Sequence, residues 1–297
     1  MTRNYFNNSK VANSIGKFPD LNAPFQISEY GRNKKNLVSY VNFDANNVDL
    51  LGSTLSRYEL AVMDAAYTIL MNGKKSFTPE QIANVMTGKE VKTSDMSSNI
   101  KQIAQTIERL SMIRIKIDYT DIMRETGKIK PTQKMVVTGY LMPVTGIYIL
   151  SQVKRQDKIE YRFDRKPVLY EYAENLGRVI SVPQELLRLE GVNENTEFVV
   201  LKQELIKEIA IMKNEKNNYS SRDITYEWDK KNQSGGLFNR IGITKDNFKN
   251  AAQWAKKRCK LHSQVLLILN SLVEKEYIKG YAIKKEGKSI TGVHIDL

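Results

Sequence analysis

SDMSSNIKQIAQTIERLSMIRIKIDYT, residues 94–120, changes its apolar period partway along, and that change decides the fold. From about Ser94 to Ser111, the residues Met96, Ile100, Ile103, Ala104, Ile107 and Leu110 recur at helical spacing and fall on one face of a 3.6-residue period. From Ile113 the apolar residues alternate through IRIKIDYT (113–120), the two-residue period of a strand. The opposite face of the helix carries Ser94, Ser98, Lys101, Gln102, Gln105 and Arg109, side-chain types that hydrogen-bond base edges and phosphates, with Glu108 at its margin. A face that merely met water would carry more carboxylates.

Upstream, Ser56 and Glu59 form a Ser-x-x-Glu capping box, and Tyr58, Val62, Ala65, Ala66 and Ile69 keep helical spacing up to Gly73. Thr78, Pro79 and Glu80 announce a second helix that closes near Gly88. Downstream, the turn-prone stretch RETGKIKPTQK (124–134) leads into a returning strand, MVVTGYLMP. Three helices and a basic hairpin are the order of a winged helix-turn-helix. Such a module sets its third helix in the major groove and its hairpin on neighbouring backbone. Arg124, Lys128 and Lys130 are then candidate phosphate contacts. Another strand pair around 146–153 and 159–163 leads to a helix over 167–176, read as the connector.

The second half repeats the plan. A helix spans about 195–213, ITYEW (224–228) is a short strand, and a helical region runs from about Thr244 to Glu276 after the Gly235-Gly236 turn. Phe248, Ala251, Ala252, Ala255 and Cys259 share one face of it, whereas Leu261 and Ile268 do not, which predicts a break near 260–263. The closing YIKGYAIKK, EGK (286–288) and SITGVHIDL form a hairpin. Lys256, Lys257, Lys260, Ser263 and Gln264 are the groove candidates here, and Lys284, Lys285 and Lys288 the wing candidates. The expected class is α+β with two tandem winged-helix domains: a basic, flexible tail with a short strand over 1–50, the first domain with its connector over 51–178, and the second over 179–297.

Composition narrows the partner. The net charge of +13 is unevenly spread: residues 101–150 hold eight Lys/Arg against four Asp/Glu, residues 251–297 nine against four, and residues 151–200 eight against nine. Two basic segments around a near-neutral one suit an extended polyanion. A membrane surface fits less well, because neither segment accompanies an amphipathic helix lined by Trp, Phe and Leu. No apolar run reaches the roughly 18 residues of a membrane span, and the start, MTRNYFNNSK, lacks a signal region, so a cytoplasmic protein is expected. A single cysteine, Cys259, fits a reducing compartment and reads as a small buried helix residue.

Enzyme chemistry finds little to stand on. The two histidines, His262 and His294, make neither an ordinary zinc site nor a convincing Ser-His-Asp arrangement. The chain has no Gly-x-x-x-x-Gly-Lys-Ser/Thr loop, and Asp118 and Asp121 lie three apart in what reads as a strand, which points them to opposite faces. No tyrosine sits among Arg or His that would activate it. Trp228 and Trp254 read as core or interface residues. No enzyme activity, metal or cofactor is expected.

The texture of the opening helix LSRYELAVMDAAYTIL (55–70), the segment FTPEQIANVMTGK (77–89) and the terminal hairpin EKEYIKGYAIKKEGKSITGVHIDL (274–297) resembles the tandem winged-helix replication initiators of bacterial plasmids and related mobile elements. The resemblance covers about residues 50–297. In that family the terminal wing has a basic-Gly-basic tip; here it is Lys285-Glu286-Gly287-Lys288, one acid away from the pattern. The resemblance implies binding to repeated double-stranded origin sites, opening of an adjacent AT-rich duplex, recruitment of host initiator and helicase proteins, and a homodimer as one of its forms. Opening without an ATP site would be driven by binding energy and DNA deformation. Two other functions fit the same residues: a winged-helix transcriptional or partition regulator, and a mobile-element inhibitor of a host nucleoprotein.

Overall fold

A computed structural model describes residues 37–41, 48–51, 54–89, 97–149, 158–176, 178–192, 194–214, 220–228 and 235–297. Residues 1–36 of the expected tail and short strand over 1–50 lie outside them. The chain divides into two compact units, Met1–Ser181 and Val182–Leu297. Both mix helices with small antiparallel sheets, the α+β class.

In the first unit, strand β1 (Leu37–Val41) is buried along its whole length and pairs with β8 (Val179–Pro183), which begins in this unit and runs past its end at Ser181, while β2 (Val48–Leu50) pairs with β4 (Arg114–Asp118). Helix α1 (Arg57–Met71) starts at the expected capping box, in which the Ser56 hydroxyl accepts from the Glu59 amide and the Glu59 carboxylate from the Ser56 amide. Strand β3 (Ser76–Phe77) precedes α2 (Pro79–Thr87). That helix opens on a Thr78/Gln81 box and ends at Gly88, whose φ of 74° suits glycine. Helix α3 (Ser97–Met112) buries Ile103, Ala104, Ile107 and Leu110, as the spacing predicts, and runs into β4.

The stretch after β4 differs from expectation. Helix α4 (Thr120–Glu125), which includes Asp121, begins at the last residue of the expected strand and runs into the expected turn, because Ile122 and Met123 reach the core and wind the chain. Strand β5 (Val136–Tyr140) then returns beside β4. The hairpin β6 (Val144–Ile149) and β7 (Lys158–Phe163) makes a different sheet, in the order β3-β7-β6, and helix α5 (Val168–Asn175) follows. Phe77, Tyr161, Phe163 and Tyr67 cluster where that sheet meets α1, with ring centroids 5.2–6.4 Å apart.

The second unit contains α6 (Thr196–Asn214), β9 (Ser221–Thr225), the short α7 (Leu237–Arg240), a 3-10 turn at Lys245–Asn247, α8 (Ala251–Glu274), β10 (Gly280–Glu286) and β11 (Ser289–Asp296). Its sheet runs β10-β11-β9. Gly292 permits this close pairing, since a Cβ there would meet the Ile224 carbonyl oxygen at 2.2 Å.

Helix α8, Cys259 and Trp228 each differ from expectation. Helix α8 has no break at 260–263. Leu261, Val265, Ile268, Leu269 and Leu272 form its buried stripe, whereas Ala251, Ala252, Ala255 and Cys259 are exposed, so the first turns do not have to share that stripe. Cys259 is therefore exposed rather than buried. Trp254 is buried, but Trp228 is 55% exposed beyond the end of β9.

The two units share one order of elements. It is α1-β3-α2-α3-β6-β7 in the first and α6-β9-α7-α8-β10-β11 in the second. In each, the strand after the first helix pairs with the last strand of the hairpin, and the other hairpin strand lies on the far side. The first unit carries β4-α4-β5 as an addition between its third helix and its hairpin.

Candidate nucleic-acid interface

The apolar stripe of α3 fixes what the helix shows to solvent. Lys101, Gln102, Gln105 and Arg109 are exposed, and the first three side chains make no hydrogen bond or ion pair among the described residues. Ser94 lies outside the described residues, and Ser98 lies in α3 with a side chain outside them. Met112, which the sequence reading did not single out, is 76% exposed at the end of the same face. The helix's one carboxylate, Glu108, is turned to the hairpin, where its Oε1 accepts from the Tyr148 hydroxyl at 2.9 Å and the Tyr161 hydroxyl at 3.3 Å. The hydrogen bond to Glu108 pushes the Tyr148 pKa up; burial, then the Glu108 charge, does so at Tyr161. The outward face of α3 is left without a carboxylate.

Arg109 has a second attachment. Its guanidinium is ion-paired with Glu59 and donates to the Thr54 carbonyl at 2.9 Å, which fastens α3 to the capping box of α1. At the end of α4, Arg124 donates to the Gln133 carbonyl at 3.0 Å and lies 4.0 Å from Asp121, so it braces the loop that follows. Lys128 and Lys130 are exposed on that loop. The loop joins α4 to β5, and the hairpin sewn to β3 is instead β6-β7. Its connection, residues 150–157, lies outside the described residues.

On α8, Lys256, Lys260 and Ser263 are exposed, with the Ser263 hydroxyl donating to the Cys259 carbonyl at 3.1 Å. Lys257 and Gln264 belong to the flank of the buried stripe. Lys257 is ion-paired with Glu197 of α6, and Gln264 is half-buried. Those two are drawn inward because positions 257, 261 and 264 share a side of the helix. Arg258 is fastened likewise, 2.7 Å from Glu227 and donating to the Ile290 carbonyl at 2.8 Å.

Along the terminal hairpin, Lys285 and Lys288 are exposed beside the Gly287 turn, while Lys284 is ion-paired with Asp223. Its hydrogen bond, followed by that of His294, holds the Asp223 carboxyl below the usual range. His262 accepts or donates at 3.0 Å to the Tyr226 hydroxyl, and burial, then the Lys285 charge, pushes its pKa down.

Sequence reasoning missed Lys245 in the 3-10 turn, Lys249 just before α8 and Gln253 in its first turn, all exposed. The signal was present: Asn250 caps the helix, its side chain accepting from the Gln253 amide at 2.9 Å. Starting the helix at Thr244 hid it. Among the described residues, no group of three or more His, Cys, Asp or Glu could hold a metal ion, and no helix is long and apolar enough to cross a membrane.

No family model and no curated protein matches the chain. Two solved structures of RctB are weakly similar. The crystal structure of its domains 2-3 has a TM-score of 0.40 and 9% identity, covering 92% of this chain and 95% of that one. A selenomethionine derivative of its domain 2 and domain 3 has a TM-score of 0.41 and 11% identity over 92% of this chain and 94% of that one.

Proposed function

We propose that this chain is a sequence-specific, double-stranded-DNA-binding replication initiator of a plasmid or mobile element, built from two winged helices and acting by binding rather than catalysis. One observation carries the DNA part. Both units repeat the order helix, strand, helix, helix, hairpin, and the third helix of each turns to solvent a face of Lys and Gln without a carboxylate. Helix α8 has no acid before Glu274, and the one acid of α3 is taken up by two tyrosines. Such faces attract phosphate and carry the groups that read base edges.

The replication part rests on the sequence resemblance. Origin repeats, the host initiator and helicase proteins and a homodimer are the partners that follow from it. A plasmid lacking its own initiator, with the DNA flanking this gene supplied in cis, tests it. The expected result is stable maintenance when the chain is expressed and loss when Lys101, Gln102 and Gln105 are replaced by Ala. Repression of the flanking promoter with no maintenance would overturn initiation in favour of a regulator.

A further inference from the structure

Residues 251–260 of α8 differ from the rest of the helix. Trp254 is the buried side chain of the stretch, Lys257 and Arg258 are held by Glu197 and Glu227, and Gln253, Lys256 and Lys260 are exposed. The last three follow at i, i+3 and i+7 and so adjoin on one side of the helix. Asn250 fixes the first turn by accepting from the Gln253 backbone amide, which leaves the Gln253 side chain projecting from a held backbone. The side-chain amide of Gln253 makes no hydrogen bond among the described residues. Lys256 and Lys260 offer donors only, which serve phosphate or guanine. The Gln253 amide offers a donor and an acceptor side by side, and in the major groove that pair matches the N6 amino group and N7 of adenine.

We infer that Gln253 is the base-specifying residue of the second unit and that it reads adenine by a two-bond amide contact. This rests on the DNA-binding reading and moves the specificity away from Ser263 and Gln264. The Ser263 hydroxyl is already bonded to its own helix, and Gln264 is half-buried.

The test uses a duplex enriched from random sequence by the intact chain. Each adenine is replaced singly by 7-deazaadenine, which keeps base pairing and removes N7. Binding by the unaltered chain is expected to weaken about tenfold at one or two adenines, and Gln253→Ala to be nearly indifferent at those positions. Gln253→Glu, which accepts but cannot donate, should move the preferred base there from adenine to cytosine. Because position 253 is exposed, both variants should melt like the unaltered chain. A deaza scan without effect, or variants that keep every base preference, would overturn the assignment while sequence-specific binding persists. A chain that enriches no sequence at all would instead remove the DNA-binding reading, and this inference with it.

Discussion

Arg109 and Gln105 lie on the same exposed face of α3 and should fail differently when removed. Arg109 is tied to Glu59, a side chain that the α1 capping box keeps buried, so Arg109→Ala leaves that carboxylate short of a partner. A loss of about 1–3 kcal/mol in folding stability should accompany weaker DNA binding, and chemical denaturation will show it. Gln105 holds nothing else in place among the described residues. Gln105→Ala should leave the denaturation midpoint unchanged, cost about 1–3 kcal/mol of binding and relax one or two base pairs. A shifted midpoint would reassign Gln105 to the fold. At His262, whose folded pKa is depressed, the sign is that of a group the unfolded chain protonates first. Stability should therefore fall as pH drops through the ordinary histidine value of 6.5, and His262→Gln should flatten that dependence between pH 7.5 and about 5.5. An unchanged slope in the variant would place the titration elsewhere.

Elements with a steady apolar period were legible from sequence, and those defined by distant pairing were not. Helices α1, α2, α3 and α6 follow caps and spacing that local chemistry dictates. Strand β3 is two residues long, and its only distinction is its partner β7, 84 residues away at Phe77 and Tyr161; a local pattern cannot carry that. For the same reason the hairpin directly after α3 was read as the wing, although β6-β7 is the one sewn to β3. The expected α8 break follows from taking Phe248, Ala251, Ala252, Ala255 and Cys259 as a core face that Leu261 and Ile268 leave, and the exposure of the three alanines and Cys259 removes that face. Of the candidate residues, Lys101, Gln102, Gln105, Lys256 and Lys260 could be read from the faces alone. The ion pairs of Arg109, Lys257 and Lys284 could not, since each partner is remote in sequence. The terminal hairpin turns this into a measurable difference. Replacing Lys285 and Lys288, which are exposed, should each lower the slope of log affinity against log salt by about 0.9. Lys284, already neutralised by Asp223, should lower it less. Equal effects at the three positions would mean that the Asp223 pair opens on DNA.

Under the proposed function each unit carries a reading helix, and the two should bind best when both engage one duplex. A tether that lets them do so raises affinity by about 10²–10⁴ over one unit alone, without any new contact. Successive major-groove segments lie about 10 base pairs apart, so the full site should extend over roughly two turns. Inserting five base pairs at its centre turns one segment to the other side of the duplex, and the intact chain should then lose most of that advantage. Indifference to the insertion would mean that the units act independently, or that one of them contacts a protein. Sequence-specific reading by both units is decided by selection from a pool of random duplexes by the intact chain, with Gln105→Ala and Gln253→Ala selected in parallel. The expected outcome is an enriched site of two blocks about one helical turn apart, one block losing definition in each variant. Enrichment of no sequence, or of one unchanged motif by all three proteins, would contradict it.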